Sequence, residues 1–252
     1  MLKPAPLPPI VEDFVLTWGG EVMVRRRQDL GFGGHDVTLL RMSATGEQRE
    51  RTGYKARLLV LRDHIAGVWV RAGYVPKSPV WAGLRRAVLH ARRSDIGHPH
   101  KAGYVTHEQV DRAQVARFRS MVASQLGASI PVIVPAHLRA AYELLMALPS
   151  QIIFGTFFGY GSSPPPGRRE IKALTRARRL DLLHNVLRGI NPEGRVYAAE
   201  ALLMMSKRGV MLSVADLFAI KKVRALPIPV KSCAGCSVVF TKTAAELLKS
   251  LP

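Results

Sequence analysis

The stretch from residue 191 to residue 203, N-P-E-G-R-V-Y-A-A-E-A-L-L, constrains the fold of this chain more tightly than any other. Asn191 is a good N-cap, because its side-chain oxygen can accept a hydrogen bond from a backbone N–H one turn into a helix. Pro192 suits the first helical position, where its missing N–H donor costs nothing. Apolar residues then recur at helical spacing: Val196, Ala199, Leu202 and Leu203. We therefore predict a helix that begins here and belongs to a compact helical region.

Other helices are predicted on both sides of this stretch. Residues 168–189 repeat apolar side chains at helical spacing and end in Gly189, a typical helix stop, so we expect one amphipathic helix there. Capping pairs mark three further helix starts: Thr106 with Gln109, Ser213 with Asp216, and Thr243 with Glu246. The first of these helices is expected to run from Thr106 to about Leu126.

The N-terminal part of the chain shows a strand pattern instead. Residues 1–9 are rich in proline and are expected to form an extended arm. Residues 10–75 hold several apolar segments separated by turn residues, which predicts an antiparallel sheet. The glycine-rich segment 31–34 is interpreted as a hairpin loop, because a strand and not a phosphate-binding helix start follows it. Arginines of the sheet, Arg57 among them, are expected to face water.

These patterns together predict an α+β fold, with a small N-terminal antiparallel β-sheet followed by a mostly α-helical region. We divide the chain into the arm at 1–9, an antiparallel β region at 10–75, a helical linker region at 76–150 and a helical C-terminal region at 151–252. The C-terminal helices are joined by short turns, so neighbouring helices should be antiparallel and stack like the helix pairs of HEAT-type repeats.

Composition limits the classes of protein that remain. Of 252 residues, 48% are hydrophobic and 22% are charged, which is the range of an ordinary folded protein. No apolar run approaches the ~20 residues of a membrane-spanning helix, so we expect no membrane span. The proline-rich start lacks the apolar core of a signal peptide, which favours a cytoplasmic protein over a mature chain whose signal has been removed. The formal net charge of +19 is compatible with a nucleic acid, an anionic lipid or an acidic protein as partner, but we favour a basic surface without a nucleic-acid role.

Cys233 and Cys236 are the only cysteines and form a C-x-x-C pair. A redox centre would need a helix at the motif to activate the first thiol, but S-V-V-F follows and favours a strand or turn. Half a zinc site would need histidines to complete four ligands. The candidates are irregularly spaced: His98, His100 and His107, with His90 and His184 as others. We therefore favour a structural disulfide or a pair of buried thiols, with no metal and no cofactor.

Arg195 is a candidate anion contact, because it lies near the start of the predicted helix, where the helix dipole favours negative charge. Glu193 and Glu200 are ready ion-pair partners on the same helix, and we favour a structural pair with one of them. The chain shows no Ser–His–Asp order, no paired-carboxylate motif and no dinucleotide fingerprint. We assign no catalytic residue and lean away from an enzyme.

Three segments of the C-terminal region carry a recurrent pattern: G-Y-G-S-S-P at 159–164, G-I-N-P-E-G-R-V-Y-A-A at 189–199, and V-K-S-C-A-G-C at 230–236. The pattern resembles that of uncharacterised bacterial proteins with short helix pairs, and it covers the chain from Gln151 onward. The resemblance implies a helical, HEAT-like C-terminal region. It supplies no activity and no catalytic residue.

The leading functional hypothesis is a non-enzymatic interaction or scaffold protein that binds a protein partner through a stacked-helix surface. One alternative is a nucleic-acid-associated protein that uses scattered Arg and Lys side chains, with an affinity that falls steeply with salt. Another is a thiol-redox or metal-binding protein centred on Cys233 and Cys236. The sequence leaves the oligomeric state open.

Overall fold

The computed structural model describes residues 22–41, 54–62, 64–73, 104–148, 150, 152–157, 163–234 and 238–249. This part of the chain has the predicted α+β class, with an antiparallel sheet first and a mostly helical region after it. It forms two compact units. The first holds the strand residues up to Gln28 and the segment Gly33–Ala116, and the second holds Asp29–Phe32 and the chain from Arg117 onward. The predicted arm at 1–9 lies outside the described residues.

A five-stranded sheet comes first along the chain, and each of its strands pairs with the next in sequence. Its strands are β1 (Val22–Gly31), β2 (Gly34–Arg41), β3 (Tyr54–Leu61), β4 (His64–Gly73) and β5 (Tyr104–Val110). Strands β2 to β5 pair antiparallel. Successive side chains of a strand point to opposite faces, so the burial of both Leu58 and Leu59 shows that β3 is covered on both sides.

The glycine-rich segment is the predicted hairpin loop, because β1 ends at Gly31 and β2 begins at Gly34. Its two central residues, Phe32 and Gly33, have φ values of 54° and 74°. Gly31, just before them, also has a positive φ, of 77°, and glycine adopts such conformations without strain. The chain therefore enters a second strand here, as the sequence predicts, and not a phosphate-binding helix start.

The prediction that Arg57 faces water is wrong. The Arg57 side chain is mostly buried, and its Nε donates to Oδ1 of Asp36 at 2.7 Å. A second bond joins Nη2 of Arg57 to Oδ2 of the same carboxylate. Asp36 is buried on the neighbouring strand β2, so its charge needs a partner inside the protein. Arg57 can therefore be mostly buried, because the carboxylate of Asp36 balances its charge.

The predicted helix from Thr106 is also corrected. Residues 104–110 form strand β5, and helix α1 begins only at Arg112 (Arg112–Leu126). The carboxylate of Asp111 caps this helix by accepting hydrogen bonds from the backbone N–H groups of Ala113 at 2.9 Å and Gln114 at 3.0 Å. Pairing with β4 supplies main-chain partners for the segment around Thr106, and this non-local pairing outweighs the local capping signal.

The second unit is mostly helical. Its helices after α1 are α2 (Ala136–Met146), α3 (Pro166–Arg176), α4 (Leu180–Leu187), α5 (Pro192–Ser206), α6 (Val214–Ala225) and α7 (Ala244–Leu247). A two-stranded hairpin, β6 (Val230–Ala234) with β7 (Val238–Lys242), completes it. Helix α5 lies at its centre, since nearly every residue of the helix is buried. No helix among the described residues is both long and apolar enough to cross a bilayer.

Residues 168–189 form two helices and not the single helix that the sequence predicts. Helix α3 ends at Arg176 and α4 begins at Leu180, with Arg178 between them at a φ of 52°. A left-handed residue ends the α-helical hydrogen-bond ladder and lets the chain change direction. Both helices still bury their apolar side, including Ile171 and Leu174 in α3.

The three capped helix starts in the second unit are confirmed. The Asn191 side chain accepts a hydrogen bond from the N–H of Gly194, and Pro192 is the first residue of α5. Ser213 caps α6 by accepting from the N–H of Asp216. Thr243 forms a reciprocal capping box with Glu246 at the start of α7.

Candidate functional site

The start of α5 is a polar turn buried in the middle of the second unit. Asn191 is buried, and besides capping the helix its Nδ2 donates to the carbonyl oxygen of Ala147 at 2.9 Å. Gly194 has no room for a side chain, because a Cβ there would lie 2.2 Å from the Leu145 carbonyl oxygen. The sequence motif therefore serves close packing of α5 against the end of α2.

Arg195 is buried in the same turn, with 1% of its surface exposed. Its Nε donates to the Gly189 carbonyl oxygen at 2.7 Å, and its Nη2 donates to that of Ile190 at 3.0 Å. Within the same unit, both terminal nitrogens lie 3.4 Å from the Leu30 carbonyl oxygen, and the Phe32 ring centre lies 5.2 Å from the guanidinium carbon. Backbone carbonyls thus occupy the donors that an anion would use, and an anion contact at Arg195 stays a prediction.

Glu193 and Lys231 complete this buried turn. Burial lowers the pKa of Arg195 to about 10, and the charge of Glu193 opposes that change, so the guanidinium stays protonated at neutral pH. Glu193 is buried, and its Oε1 accepts from the backbone N–H of Lys231 at 3.1 Å. The ammonium of Lys231 donates to the Ser150 carbonyl oxygen at 3.1 Å. Glu193 thus connects the start of α5 to strand β6, and the Lys231 side chain connects β6 to the backbone at Ser150.

Glu200, the second expected partner of Arg195, pairs with Arg168 of α3 instead. Two bonds join the guanidinium of Arg168 to the carboxylate, one of them 3.1 Å from Nη2 to Oε1. The guanidinium carbon lies 4.8 Å from the ring centre of Tyr197 and 5.4 Å from that of Phe154. Burial raises the pKa of Tyr197 above its usual range, although Arg168 opposes the change. The cluster ties α3 to α5 and keeps both charges paired.

Cys233 lies in strand β6 and is buried beside this cluster. In its thiol form, its Sγ donates to the carbonyl oxygen of Phe157 at 3.3 Å. Burial raises the pKa of Cys233, and the nearby charge of Arg168 opposes the rise. A raised pKa disfavours the thiolate that a redox centre or a metal site requires. Cys236 lies outside the described residues, so a disulfide or thiol pair between Cys233 and Cys236 stays a prediction.

The described residues contain no cluster of three or more His, Cys, Asp or Glu side chains that could hold a metal ion. Of the histidines considered from the sequence, His90, His98 and His100 lie outside the described residues, and His184 contacts Asp216. His107 belongs to strand β5, and its side chain is not described. No metal ligand can be assigned within the described part of the chain.

A cluster that the sequence did not reveal joins α4 to α6. His184 on α4 and Arg188, which directly follows the helix, contact the same Oδ1 of Asp216, at 2.7 Å from Nδ1 and 2.8 Å from Nη1. The Ser213 hydroxyl donates to the other carboxylate oxygen at 2.7 Å. Serine, histidine and aspartate therefore meet, but the hydroxyl binds the carboxylate and not the imidazole, so the arrangement lacks an activated nucleophile.

The geometry of α6 gives the helix two apolar faces. Ala219, Ile220 and Val223 face the core and are buried. The opposite face carries Val214, Leu217 and Phe218 at spacing i, i+3, i+4, and these side chains are 84%, 50% and 51% exposed. Met211, in the turn before the helix, is 93% exposed. We call these four outward residues the α6 patch.

Four exposed cations are close to the α6 patch in sequence. Lys221 and Lys222 continue the exposed side of α6, and the ammonium of Lys222 lies 5.3 Å from the centre of the Phe218 ring. Lys207 and Arg208 are exposed in the turn that leads toward the patch. The acid of α6, Asp216, points to the buried side and is already paired. The patch is therefore apolar at its centre and basic at its edge.

A cavity beside Arg195 offers a different kind of site. It holds about 10 Å³, roughly the room of one water molecule, and its lining is mostly apolar, with Val196, Val223 and Ile228 among its walls. Ligand sites for organic molecules are far larger, on the order of several hundred Å³. This cavity therefore suits no substrate, and the α6 patch is the better candidate.

Comparisons with protein-family models, with curated proteins and with solved structures give no match to this chain. The resemblance of its C-terminal pattern to bacterial helix-pair proteins stays a prediction. The candidate site rests on the geometry of α6 and its surroundings.

Proposed function

We propose that this protein is a non-enzymatic interaction protein whose α6 patch binds an acidic partner protein. The observation that carries the proposal is the exposure of Val214, Leu217 and Phe218 on the outward face of a helix whose inward face is fully used by the core. A surface helix normally carries polar side chains on its outward face. A contiguous exposed apolar patch with a polar rim is typical of a protein-binding surface.

The spacing of the patch fits helix recognition. Side chains at i, i+3 and i+4 of one helix are the anchors that an amphipathic helix uses in a groove or against another helix. Leu217 and Phe218 supply bulk, and the aromatic ring has the size and rigidity of residues that dominate binding energy. The HEAT-like stacking predicted from the sequence stays a prediction, and the proposal depends on α6 alone.

Charge complementarity selects the partner. The rim of the patch contains Lys207, Arg208, Lys221 and Lys222, and none of these has a carboxylate partner within the described residues. In a symmetric dimer the same patch would face itself, so these cations would meet each other and repel. The net charge of +19 adds to that repulsion. An acidic partner gains attraction from the same rim.

Site-specific photo-crosslinking tests the proposal. A benzophenone amino acid replaces Leu217 in the full chain, and a control chain carries it at Ile133, an exposed apolar residue in the loop before α2. We expect a discrete crosslinked protein from position 217 and none from position 133. The captured protein is then purified, and its binding to the unmodified chain is measured by calorimetry.

Matched variants decide the result. In L217E/F218E the affinity for the captured protein should fall at least about 30-fold, since a central anchor contributes about 2 kcal/mol or more. The control I133E/V239E makes the same chemical change at two exposed apolar residues outside the patch and should bind normally. Crosslinks between two copies of this chain, or equal losses in both variants, would contradict the proposal.

A further inference from the structure

Helix α3 carries a second surface with a different chemistry. Arg169, Lys172 and Arg176 are exposed and lie at i, i+3 and i+7, so at 3.6 residues per turn they fall within about 60° of one another around the helix axis. We call these three residues the α3 stripe. The opposite side of α3 buries Gly167, Ile171 and Leu174 in the core, which fixes the stripe on the outside.

The α3 stripe differs from the other arginines nearby because its charges are unpaired. Arg168 pairs with Glu200, and Arg188 pairs with Asp216. Within the described residues, no carboxylate lies within ion-pair distance of Arg169, Lys172 or Arg176. Glu170, the acid of α3, lies about 100° or more around the helix from each of them, at 100° per residue. The stripe therefore presents three cations of one sign to solvent.

We propose that the α3 stripe binds the phosphate backbone of nucleic acid. At 1.5 Å per residue, Arg169 and Arg176 are separated by about 10.5 Å along the helix. One strand of duplex DNA carries a phosphate about every 3.4 Å of its axis, so about three phosphates occupy that length. Three cations on one helical face thus meet a similar number of phosphates, and Arg side chains bind phosphate oxygens bidentately.

The geometry of α3 disfavours a membrane surface as the occupant. A helix that lies on a bilayer inserts an apolar face between the headgroups. The apolar side of α3 is already buried, at Ile171 and Leu174, so only charge is left for the bilayer. An acidic protein is the other possible ligand of the α3 stripe, and titration with poly-glutamate distinguishes it from nucleic acid. This inference is independent of the proposed function, since α6 supplies no residue to it.

The test measures binding of the full chain to a short fluorescein-labelled DNA duplex by anisotropy, between about 50 and 200 mM salt. The variant R169Q/K172Q/R176Q removes the α3 stripe. Each phosphate contact contributes about 0.9 to the slope of log affinity against log salt, so the slope should become shallower by about 2.7. Affinity for duplexes of different sequence should fall equally, because the backbone carries no sequence information.

The control variant R112Q/R117Q/R139Q removes the same charge from exposed positions of α1 and α2. We expect its slope to stay within about 1 of that of the unmodified chain. All substitutions are at exposed positions, and unchanged thermal unfolding will show that both variants are folded. Parallel titrations use poly-glutamate and vesicles that contain phosphatidylserine, and both should bind more weakly than the duplex.

Three results would overturn the inference. The first is an equal loss of slope in both triple variants, which would assign the attraction to net charge. The second is binding of poly-glutamate or of the vesicles at least as tight as binding of the duplex. The third is an unmodified chain that does not bind the duplex at about 50 mM salt, where phosphate contacts are strongest.

Discussion

The guanidinium of Arg188 lies 2.8 Å from the carboxylate of Asp216, so an ion pair joins the end of α4 to α6 inside the second unit. The Arg188 side chain is 1% exposed. A buried cation of this kind depends on its partner, because removal of one member leaves the other as an uncompensated charge in a medium of low dielectric constant. The α6 patch is thereby held in place by a contact on the opposite side of the helix.

We expect Asp216→Asn to lower the free energy of unfolding at neutral pH by about 2–4 kcal/mol, because the variant keeps the shape but loses the charge that Arg188 requires. Urea denaturation measures the change. The matched variant Asp181→Asn alters a more exposed pair with Arg179 and should lose less than about 1 kcal/mol. Similar losses in the two variants would refute this account of the buried pair.

The same carboxylate predicts a pH dependence. Burial favours a higher pKa for Asp216, but the hydrogen bonds from Ser213 and Arg188 and the charge of His184 outweigh it, and the pKa lies below its ordinary value of 3.8. An acid whose pKa falls on folding stabilises the folded state fully above its unfolded pKa, and this stabilisation is lost as the pH falls from there through the folded pKa. The stability difference between the unmodified chain and Asp216→Asn should therefore shrink as the pH falls below 3.8.

Gly155 and Cys233 are expected to be coupled. A Cβ at Gly155 would lie 2.3 Å from the Sγ of Cys233, so Gly155→Ala should destabilise the protein by about 1–3 kcal/mol through overpacking. Cys233→Ala removes the sulfur and makes room, so the double variant should lose less than the sum of the two single changes. Thermal unfolding of all four proteins completes the cycle, and strictly additive losses would contradict the contact.

The thiol of Cys233 is expected to be unreactive in the folded protein. Burial raises its pKa above the ordinary 9.0, so little thiolate exists at neutral pH, and the sulfur is also sheltered from solvent. In a Cys236→Ser chain, alkylation by iodoacetamide at pH 7.5 should be at least about 100-fold slower in the folded state than in urea. A fast rate that is constant from about pH 6 to 8 would instead indicate an activated thiolate.

The two faces of α6 should respond differently to substitution. Leu217→Ala and Phe218→Ala change exposed residues and should each alter the free energy of unfolding by less than about 0.5 kcal/mol. Ile220→Ala opens a cavity on the buried face and should cost about 2–4 kcal/mol. Chemical denaturation distinguishes them. A large loss at Leu217 or Phe218 would mean that the α6 patch belongs to the core and is unavailable to a partner.

Arg178 is expected to be replaceable by glycine with a gain in stability. Its φ of 52° is in the left-handed region, where a residue with a Cβ costs about 1–2 kcal/mol and glycine does not. Arg178 is exposed and forms no ion pair within the described residues, so the substitution removes little else. Arg178→Gly should raise the free energy of unfolding by about 0.5–1 kcal/mol, after the larger entropy of the unfolded glycine chain is subtracted. A loss of stability would argue against the break between α3 and α4.

The sequence correctly predicted the features that depend only on residues close in sequence. The caps at Asn191, Ser213 and Thr243 each join a side chain to a backbone group three residues away, and all three form. The hairpin loop at Phe32 and Gly33 is equally local. Such features need no information about distant parts of the chain, because the residues involved are close in sequence whatever the fold.

Non-local partners could not be predicted in this way. Residue 106 lies in a strand because β4, more than thirty residues earlier in sequence, is available to pair with it. Arg168 binds Glu200 at a separation of 32 residues, and Arg188 binds Asp216 at 28. Many acids and bases could satisfy the same electrostatic requirement, and only the packing of the helices selects among them. The one available signal was the one-turn spacing of His184 and Arg188, which places both on one side at the end of α4.

The α6 patch was hidden for a related reason. A helix with apolar residues on two opposite faces, such as α6, does not reveal by periodicity which of the two faces is buried. Only coordinates show that Ile220 is covered while Val214 is open to solvent.

The buried start of α5 also determines how the chain can be shortened. Glu193 receives a backbone bond from Lys231, and Lys231 in turn reaches Ser150, so residues on both sides of α5 secure its first turn. A fragment that stops before Lys231 would keep the carboxylate and lose that donor. We therefore expect progressive C-terminal truncation to unfold the helical unit in one step and not gradually. Limited proteolysis of successive fragments should show one abrupt boundary near β6, beyond which the whole helical unit becomes cleavable.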